Sequence, residues 1–226
     1  ASYGRDFDNK TDLATLLEAV DKVDGICQMR LGSLDPSLLK PEFVSRLASL
    51  KHFAPHLHLS IQSGSDKILS VMGRKYNYIA DARAKLPGMT FAADIIVGFP
   101  GETEELFGET VEFVKRVKFT HLHIFPYSKR PGTPAANMPD QVAEDVKNER
   151  VKRLEAAGRE VAFELAGDYI GKQRDVLFEL CEDGRATGHT PEFLEVAVIT
   201  NDDLHGETKK VKLNGFDGTV FSGFII

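Results

Sequence analysis

The stretch TFAADIIVGFPGET, Thr90–Thr103, constrains the fold more than any other part of the chain. It is an apolar run that stops at a turn and hands over to a helix. The successive Ile95, Ile96 and Val97 predict a strand buried on both faces, as in a parallel sheet covered by helices. Gly98 and Gly101 allow close backbone approach, and Pro100 stiffens the turn. Thr103 is a good helix cap, with Glu104 and Glu105 in the first turn, where each interacts with the helix dipole by about 0.3–1 kcal/mol. Phe107, Val111, Val114 and Val117 then form one helical stripe. In parallel α/β sheets ligands bind at the carboxyl ends of the strands, so the turn is expected at the ligand-binding end of a barrel-like domain.

The same unit recurs on either side. Leu13, Leu16, Leu17 and Val20 have helical spacing, and Gly25 leads into a strand expected at Ile26–Leu31. Pro41 opens a helix carrying Phe43, Val44, Leu47 and Leu50, where its missing N–H costs nothing. Strands are expected at Leu57–Ile61 and Thr120–Tyr127, with a helical run from Ser65 between them and the central strand. Such alternation calls for a parallel sheet with right-handed crossovers. The chain opens on a tight-turn sequence, ASYG, that would normally follow a strand, so upstream strands are expected outside it. YNYIADARAKL keeps no clean stripe, and residues are expected to be missing near Asn77–Arg83.

Gln141 to Ala166 reads as one long helix. Beyond Tyr169 come four strand-like segments, RDVLFEL, FLEVAVIT, KKVKL and GTVFSGFII, with EDGRATGHT, TNDDLHGE and NGFDG taken as turns. These predict a small antiparallel β-barrel. The expected organisation is a partial β/α barrel over residues 1–140, a connecting helix over 141–167 and a β-domain over 168–226.

Composition removes several classes of function. Cys27 and Cys181 are the only cysteines among 226 residues, which excludes a disulfide framework or a cysteine metal cluster within the chain. No apolar run approaches the roughly 20 residues of a membrane span, and the N-terminus lacks the pattern of a signal peptide; a cytoplasmic location without membrane contact is expected. The net charge of −6 argues mildly against nucleic-acid binding, although a local basic patch can coexist with an acidic total. No Gly-Lys-Ser/Thr follows the turn and no G-x-G-x-x-G occurs, so neither a phosphate loop nor a dinucleotide site is expected. His56-x-His58 and His121-x-His123 have a spacing that some metal hydrolases use. Both pairs are placed at the beginnings of their strands, away from the expected ligand end, and no metal site is expected from them.

The strand ends are RLGSLDP (Arg30–Pro36), SIQSGS (Ser60–Ser65), IVGFPGET (Ile96–Thr103) and FPYSKRPGTPA (Phe125–Ala135). Taken in order, with a long helix and a small β-domain after them, they resemble the radical-SAM methylthiotransferases. RLGSLDP and LHIFPYSKRPGTPA are most similar to the branch that methylthiolates threonylcarbamoyladenosine beside the tRNA anticodon. Sister branches act on isopentenyl-adenosine in tRNA or on an aspartate of a ribosomal protein. The resemblance covers nearly the whole chain and implies an α/β fold: the C-terminal part of a radical-SAM, partial TIM-like barrel followed by a TRAM domain. It also implies S-adenosylmethionine and 4Fe-4S clusters as cofactors, and tRNA and an external reductant as partners. The family's C-x-x-x-C-x-x-C loop, which holds the barrel cluster, and its N-terminal domain have no counterpart in this sequence. The chain alone is therefore expected to be inactive.

By this resemblance Gln62 and Ser63 would face the ribose or methionine part of S-adenosylmethionine. Gly98, Phe99, Pro100, Gly101 and Glu102 would pack along its adenine, and Phe125 and Tyr127 would wall it. Arg30 and Ser33 would lie near the substrate or the methionine carboxylate, with Asp94 on the substrate side. The family's G-x-I-x-G-x-x-E pattern is matched only at Ile96 and Gly98. The implied chemistry is reductive cleavage of S-adenosylmethionine to a deoxyadenosyl radical, hydrogen abstraction from the adenine ring, then sulfur insertion and methylation. From Tyr169 onward six basic residues face ten acidic ones, a net of −4. RNA binding then needs a local patch, with Lys209, Lys210 and Lys212 joined by Lys172 or Arg174 as the candidate. A non-catalytic RNA-binding module and a metal-dependent barrel hydrolase are the readings from other classes. The sequence sets neither the oligomeric state nor the sulfur donor.

Overall fold

A computed structural model describes residues 3–4, 6–8, 11–74, 85–86 and 88–226. The expected gap near Asn77–Arg83 lies outside the described residues. The first unit is a four-stranded parallel sheet in the order β1 (Met29–Leu34), β2 (Phe53–Gln62), β3 (Thr90–Val97) and β4 (His121–Pro126). Helices α1 (Leu13–Val20), α2 (Pro41–Ala48), α3 (Asp66–Val71) and α4 (Glu104–Val117) lie between or beside them in sequence. Asp12 caps α1 by accepting from the Thr15 N–H at 2.8 Å, and Thr103 caps α4 by accepting from the Leu106 N–H. Each cap satisfies one of the donors a helix start leaves open.

Side-chain alternation splits the sheet into two unlike faces. Leu57, Leu59 and Ile61 of β2 pack with Phe91, Ala93, Ile95 and Val97 of β3, Phe107 and Val114 of α4, and Leu154 of the long helix in one buried cluster. The residues between them, His58, Asp94, Ile96, His123 and Phe125, are only partly covered or exposed. The expectation that β3 is buried on both faces therefore fails at Asp94 and Ile96, because among the described residues no helix lies over that face. Two strand boundaries also differ from expectation. β1 starts at Met29 rather than Ile26, and β2 starts at Phe53 rather than Leu57. Both shifts move residues that had been placed at strand ends or beginnings.

Helix α5 (Glu144–Ala166) packs on β4 and α4 and runs into the second unit. That unit is a closed barrel in the order β5-β6-β7-β9-β8, formed by β5 (Gln173–Glu182), β6 (Arg185–His189), β7 (Glu195–Ile199), β8 (Thr208–Phe216) and β9 (Phe221–Ile225). Its core is Val176, Phe178, Ala186, Val196, Val198, Val211, Leu213 and Phe221, joined by Ala166 at the end of α5. The barrel has one strand more than the four expected, because the segment read as the turn EDGRATGHT contains β6. The reason is Gly188: a Cβ there would sit 2.0 Å from the Leu177 carbonyl oxygen. Glycine at this point marks a close approach of two backbones inside the sheet.

Candidate active site on the open face of the sheet

The turn after β3 is held from within. The Gly98 N–H donates to Glu102 Oε2 at 2.6 Å, the Glu102 N–H to the Phe99 carbonyl at 2.9 Å, and the Gly101 N–H to the Asp140 carbonyl at 2.9 Å. Arg150 of α5 reaches the same carboxylate at 2.7 Å and the Glu102 carbonyl at 3.1 Å. Both side chains are buried, at 0% exposure for Glu102 and 5% for Arg150. Burial pushes the Glu102 carboxyl upward, against the Gly98 N–H and the Arg150 guanidinium, which favour its charge. Gly98 has φ 71°, and a Cβ on it would lie 2.4 Å from Lys147 Cγ. The glycine is thus required where the turn meets α5.

Several residues expected along a cofactor are occupied by this scaffold. Glu102 belongs to the buried ion pair. The hydroxyl of Ser63 lies 3.3 Å from that of Thr110 in α4 and accepts from the Ser65 N–H at 3.1 Å, so it is directed into the helix packing. Phe99 and Tyr127 meet edge to face at 5.2 Å within a small buried cluster that includes Ile68 and Leu106. These two rings line the inside of the strand ends rather than an exposed wall. Pro100 is buried with them and Gly101 is half-buried. Gln62 and Phe125 differ from the rest. Gln62 ends β2 in the left-handed region at φ 73°, a conformation that costs a non-glycine residue about 1–3 kcal/mol and clusters at ligand sites. Phe125, next to Ile96 in the strand register, is 51% exposed.

The open face carries a polar group that the sequence reading set aside. His58 Nε2 lies 2.8 Å from Asp94 Oδ1. The hydroxyls of Ser33 and Ser60 donate to Asp94 Oδ2 at 3.4 and 3.3 Å. His123 is beside Asp94 in the register, and its ring stacks on that of His58 with centroids 5.0 Å apart and planes 11° apart. Because β2 starts four residues earlier than expected, His58 is in mid-strand and not at the far rim. Asp94 of β3 takes the open face, with Ser33 of β1, His58 and Ser60 of β2 and His123 of β4 around it. Strand alternation held the signal: His58, Asp94 and His123 fall in the same parity across neighbouring strands.

The amino ends of the strands are covered by the barrel. Thr90 Oγ1 donates to the Glu192 carbonyl at 2.6 Å, and Phe193 lies 5.0 Å from the His56 ring. Arg30 stands 4.2 Å over Phe193. The revised β1 thus puts Arg30 at the end opposite the one expected, against the barrel, while Ser33 stays with Asp94. His56, 2% exposed and 2.9 Å from Thr90 Oγ1, has its pKa pushed down to about 3, mainly by burial and then by Arg30 and neighbouring histidines. A cleft of about 450 Å³ continues from His121 and His123 between α5 and the barrel, past Arg159, Tyr169, His189 and Phe216.

The expected basic patch on the barrel divides. Along β8 the side chains alternate, so Lys210 and Lys212 lie on the outer surface while Lys209 shares the parity of the buried Val211. Lys209 pairs with Glu207 at 2.6 Å, Lys210 with Asp175 at 2.8 Å and Arg174 with Glu192 at 3.0 Å. Lys172 and Lys212 are exposed. Lys212 faces Phe224 across the strands, and Phe224 is 48% exposed. Cys27 is exposed and Cys181 half-buried in the barrel; two cysteines in different units do not supply the three thiolates of a cluster loop. No described helix is long and apolar enough to cross a membrane.

No protein-family profile matches the chain. Among curated proteins it is 40% identical over 222 residues to the threonylcarbamoyladenosine tRNA methylthiotransferase MtaB of Bacillus subtilis (strain 168), an alignment covering 93% of the chain and 49% of that protein. It is 38% identical over 229 residues to the tRNA-2-methylthio-N(6)-dimethylallyladenosine synthase of Carboxydothermus hydrogenoformans, covering 97% and 52%. The chain thus spans about half the length of the curated relatives it matches. Among solved structures, coproporphyrinogen III oxidase (HemN) of Escherichia coli, described as a radical SAM enzyme, shares the fold. Its TM-score is 0.55 at 13% identity, over 97% of the chain and 57% of that protein.

Proposed function

The chain belongs to the methylthiotransferase family of these relatives, and on that premise we propose that it forms part of a radical-SAM enzyme that methylthiolates an adenosine of tRNA. Threonylcarbamoyladenosine beside the anticodon is the preferred substrate. The observation that carries this reading is the 40% identity, over nearly the whole chain, to a relative named for that modification. The dimethylallyladenosine enzymes, at 38% identity, favour the second reading, in which the modified base is isopentenyl-adenosine.

S-adenosylmethionine fits the residues at the mouth of the open face. Phe125 offers an uncovered flat apolar surface at the end of β4, and Gln62 stands at the end of β2 in a strained backbone. The backbone of Gly98–Gly101 is fixed between them by Glu102 and Asp140. When bound, that cofactor supplies the hydrogen abstraction and methyl transfer of the reaction. In this reading Phe125 and Gln62 bind and orient, Phe99 and Tyr127 back the wall, and Ser33 and Asp94 face the substrate. Iron–sulfur clusters do not fit the residues of this chain, and no step is assigned through them; their ligands and the contact with an external reductant belong to other parts of the protein.

For the tRNA, the barrel offers Phe224 opposite Lys212, an aromatic ring beside a cation, the pairing that holds single-stranded bases. In this reading the barrel is the TRAM domain. The test of the whole reading is mass spectrometry of tRNA from cells whose only copy of the gene carries Gln62→Ala or Phe125→Ala. Loss of the methylthio group from threonylcarbamoyladenosine, with isopentenyl-adenosine unaffected, is expected. Loss confined to isopentenyl-adenosine selects the second reading, and an unchanged profile of both rejects the site. For the barrel, Lys212→Ala with Phe224→Ala should weaken tRNA binding at least tenfold and flatten its salt dependence; unchanged affinity sinks that face.

A further inference from the structure

We propose that His58, Asp94 and His123 form a binding site for a divalent transition-metal ion of the zinc class, separate from any iron–sulfur cluster. The three residues come from adjacent parallel strands and point to the same face. Each offers one ligand atom, and these atoms all lie within 4.8 Å of one another. A tetrahedral zinc site with bonds near 2.0–2.1 Å has ligand atoms about 3.3 Å apart. The 2.8 Å contact between His58 Nε2 and Asp94 Oδ1 needs to open by only about half an ångström, and His123 needs to close by at most about 1.5 Å and to turn its ring out of the stack on His58 so that both lone pairs converge. The ion would replace the proton that this contact now shares.

The surroundings are those of a ligand set held in place. Asp94 uses Oδ2 for the Ser33 and Ser60 hydroxyls, which leaves Oδ1 for the ion. Outer hydrogen bonds of this kind orient ligating carboxylates and imidazoles. Two imidazoles and one carboxylate select zinc, cobalt, nickel or copper over magnesium or calcium, which prefer all-oxygen sites. Three protein ligands leave a fourth position, and it opens onto the uncovered face of the sheet; that is the pattern of a site with an exchangeable ligand.

The 226-residue chain, stripped with a chelator, is titrated with zinc by calorimetry and with cobalt by visible absorption. One ion per chain and an intense four-coordinate cobalt spectrum are expected. His58→Ala and His123→Ala should each weaken binding at least a hundredfold, and Asp94→Asn should do so while keeping the size and hydrogen bonding of the side chain. His52→Ala and His205→Ala, which alter histidines outside the group, should leave affinity within threefold. Far-ultraviolet circular dichroism of every variant separates loss of the site from loss of the fold. No saturable binding, an octahedral cobalt spectrum, or binding that survives His58→Ala and His123→Ala in folded protein would overturn the proposal. None of these outcomes bears on tRNA modification, which is read separately.

Discussion

The turn after β3 and the open face beside it are both rich in polar residues, yet they are built in opposite ways. In the turn, the buried Glu102 carboxylate accepts from the Gly98 N–H and from Arg150, and the Glu102 and Gly101 N–H groups donate to the Phe99 and Asp140 carbonyls. On the open face, Asp94 gathers His58, Ser33 and Ser60 while remaining about one-fifth exposed. The turn is a contiguous motif and its polarity is spent on its own shape. The open face takes one or two residues from each strand and keeps its groups accessible. A dense motif thus marks where the scaffold is fixed, and the candidate site lies on the opposite parity of the strands.

The largest effect should come from breaking the turn. Arg150→Ala strands a buried carboxylate, and a loss of about 3–5 kcal/mol is expected in urea denaturation. Glu102→Leu combined with Arg150→Met should cost less than the single change, because neither charge is left alone. Next comes Gly98→Ala, which forces a Cβ into Lys147 at a positive φ; overpacking of this kind costs about 1–3 kcal/mol. The histidine that the barrel covers at the amino end of β2 gives a pH-dependent contrast. His56 stays neutral in the folded chain down to about pH 3, whereas it takes up a proton near its ordinary value of 6.5 once unfolded. The unfolded state therefore binds the proton first, and stability falls as pH drops below 6.5, by about 2 kcal/mol at pH 5. His56→Gln should flatten that part of a melting-temperature profile. The smallest effect belongs to the open face itself: Asp94→Asn should change stability by less than about 1 kcal/mol, since its partners stay in contact with solvent. A larger loss there would mean that Asp94 is scaffold after all, and the contrast between the two regions would collapse.

The alternation of apolar strands and amphipathic helices made the parallel sheet legible, and Pro41 and Thr103 marked helix starts where they stand. The register was harder. Arg30 moved relative to the strand end because β1 begins only at Met29, and His56 moved because Phe53–His56, a segment of mixed polarity, pairs with its neighbours despite Pro55. β6 was hidden because RATGH has the composition of a turn, while Gly188 is there to let another backbone pass. The Ser63 and Glu102 side chains looked like ligand groups by position, and only the packing of α4 and α5 shows that they face inward. The converse holds for His58 and His123. No local pattern distinguishes them until three strands are aligned side by side.

Helix α5 runs unbroken for 23 residues, about 34 Å. Near one end Lys147 and Arg150 grip the turn after β3; at the other, Ala166 is part of the barrel core. It therefore works as a strut anchored in both units. Any displacement of the barrel relative to the sheet would act through Arg150, and the first bonds to feel it would be those that shape the Gly98–Glu102 loop.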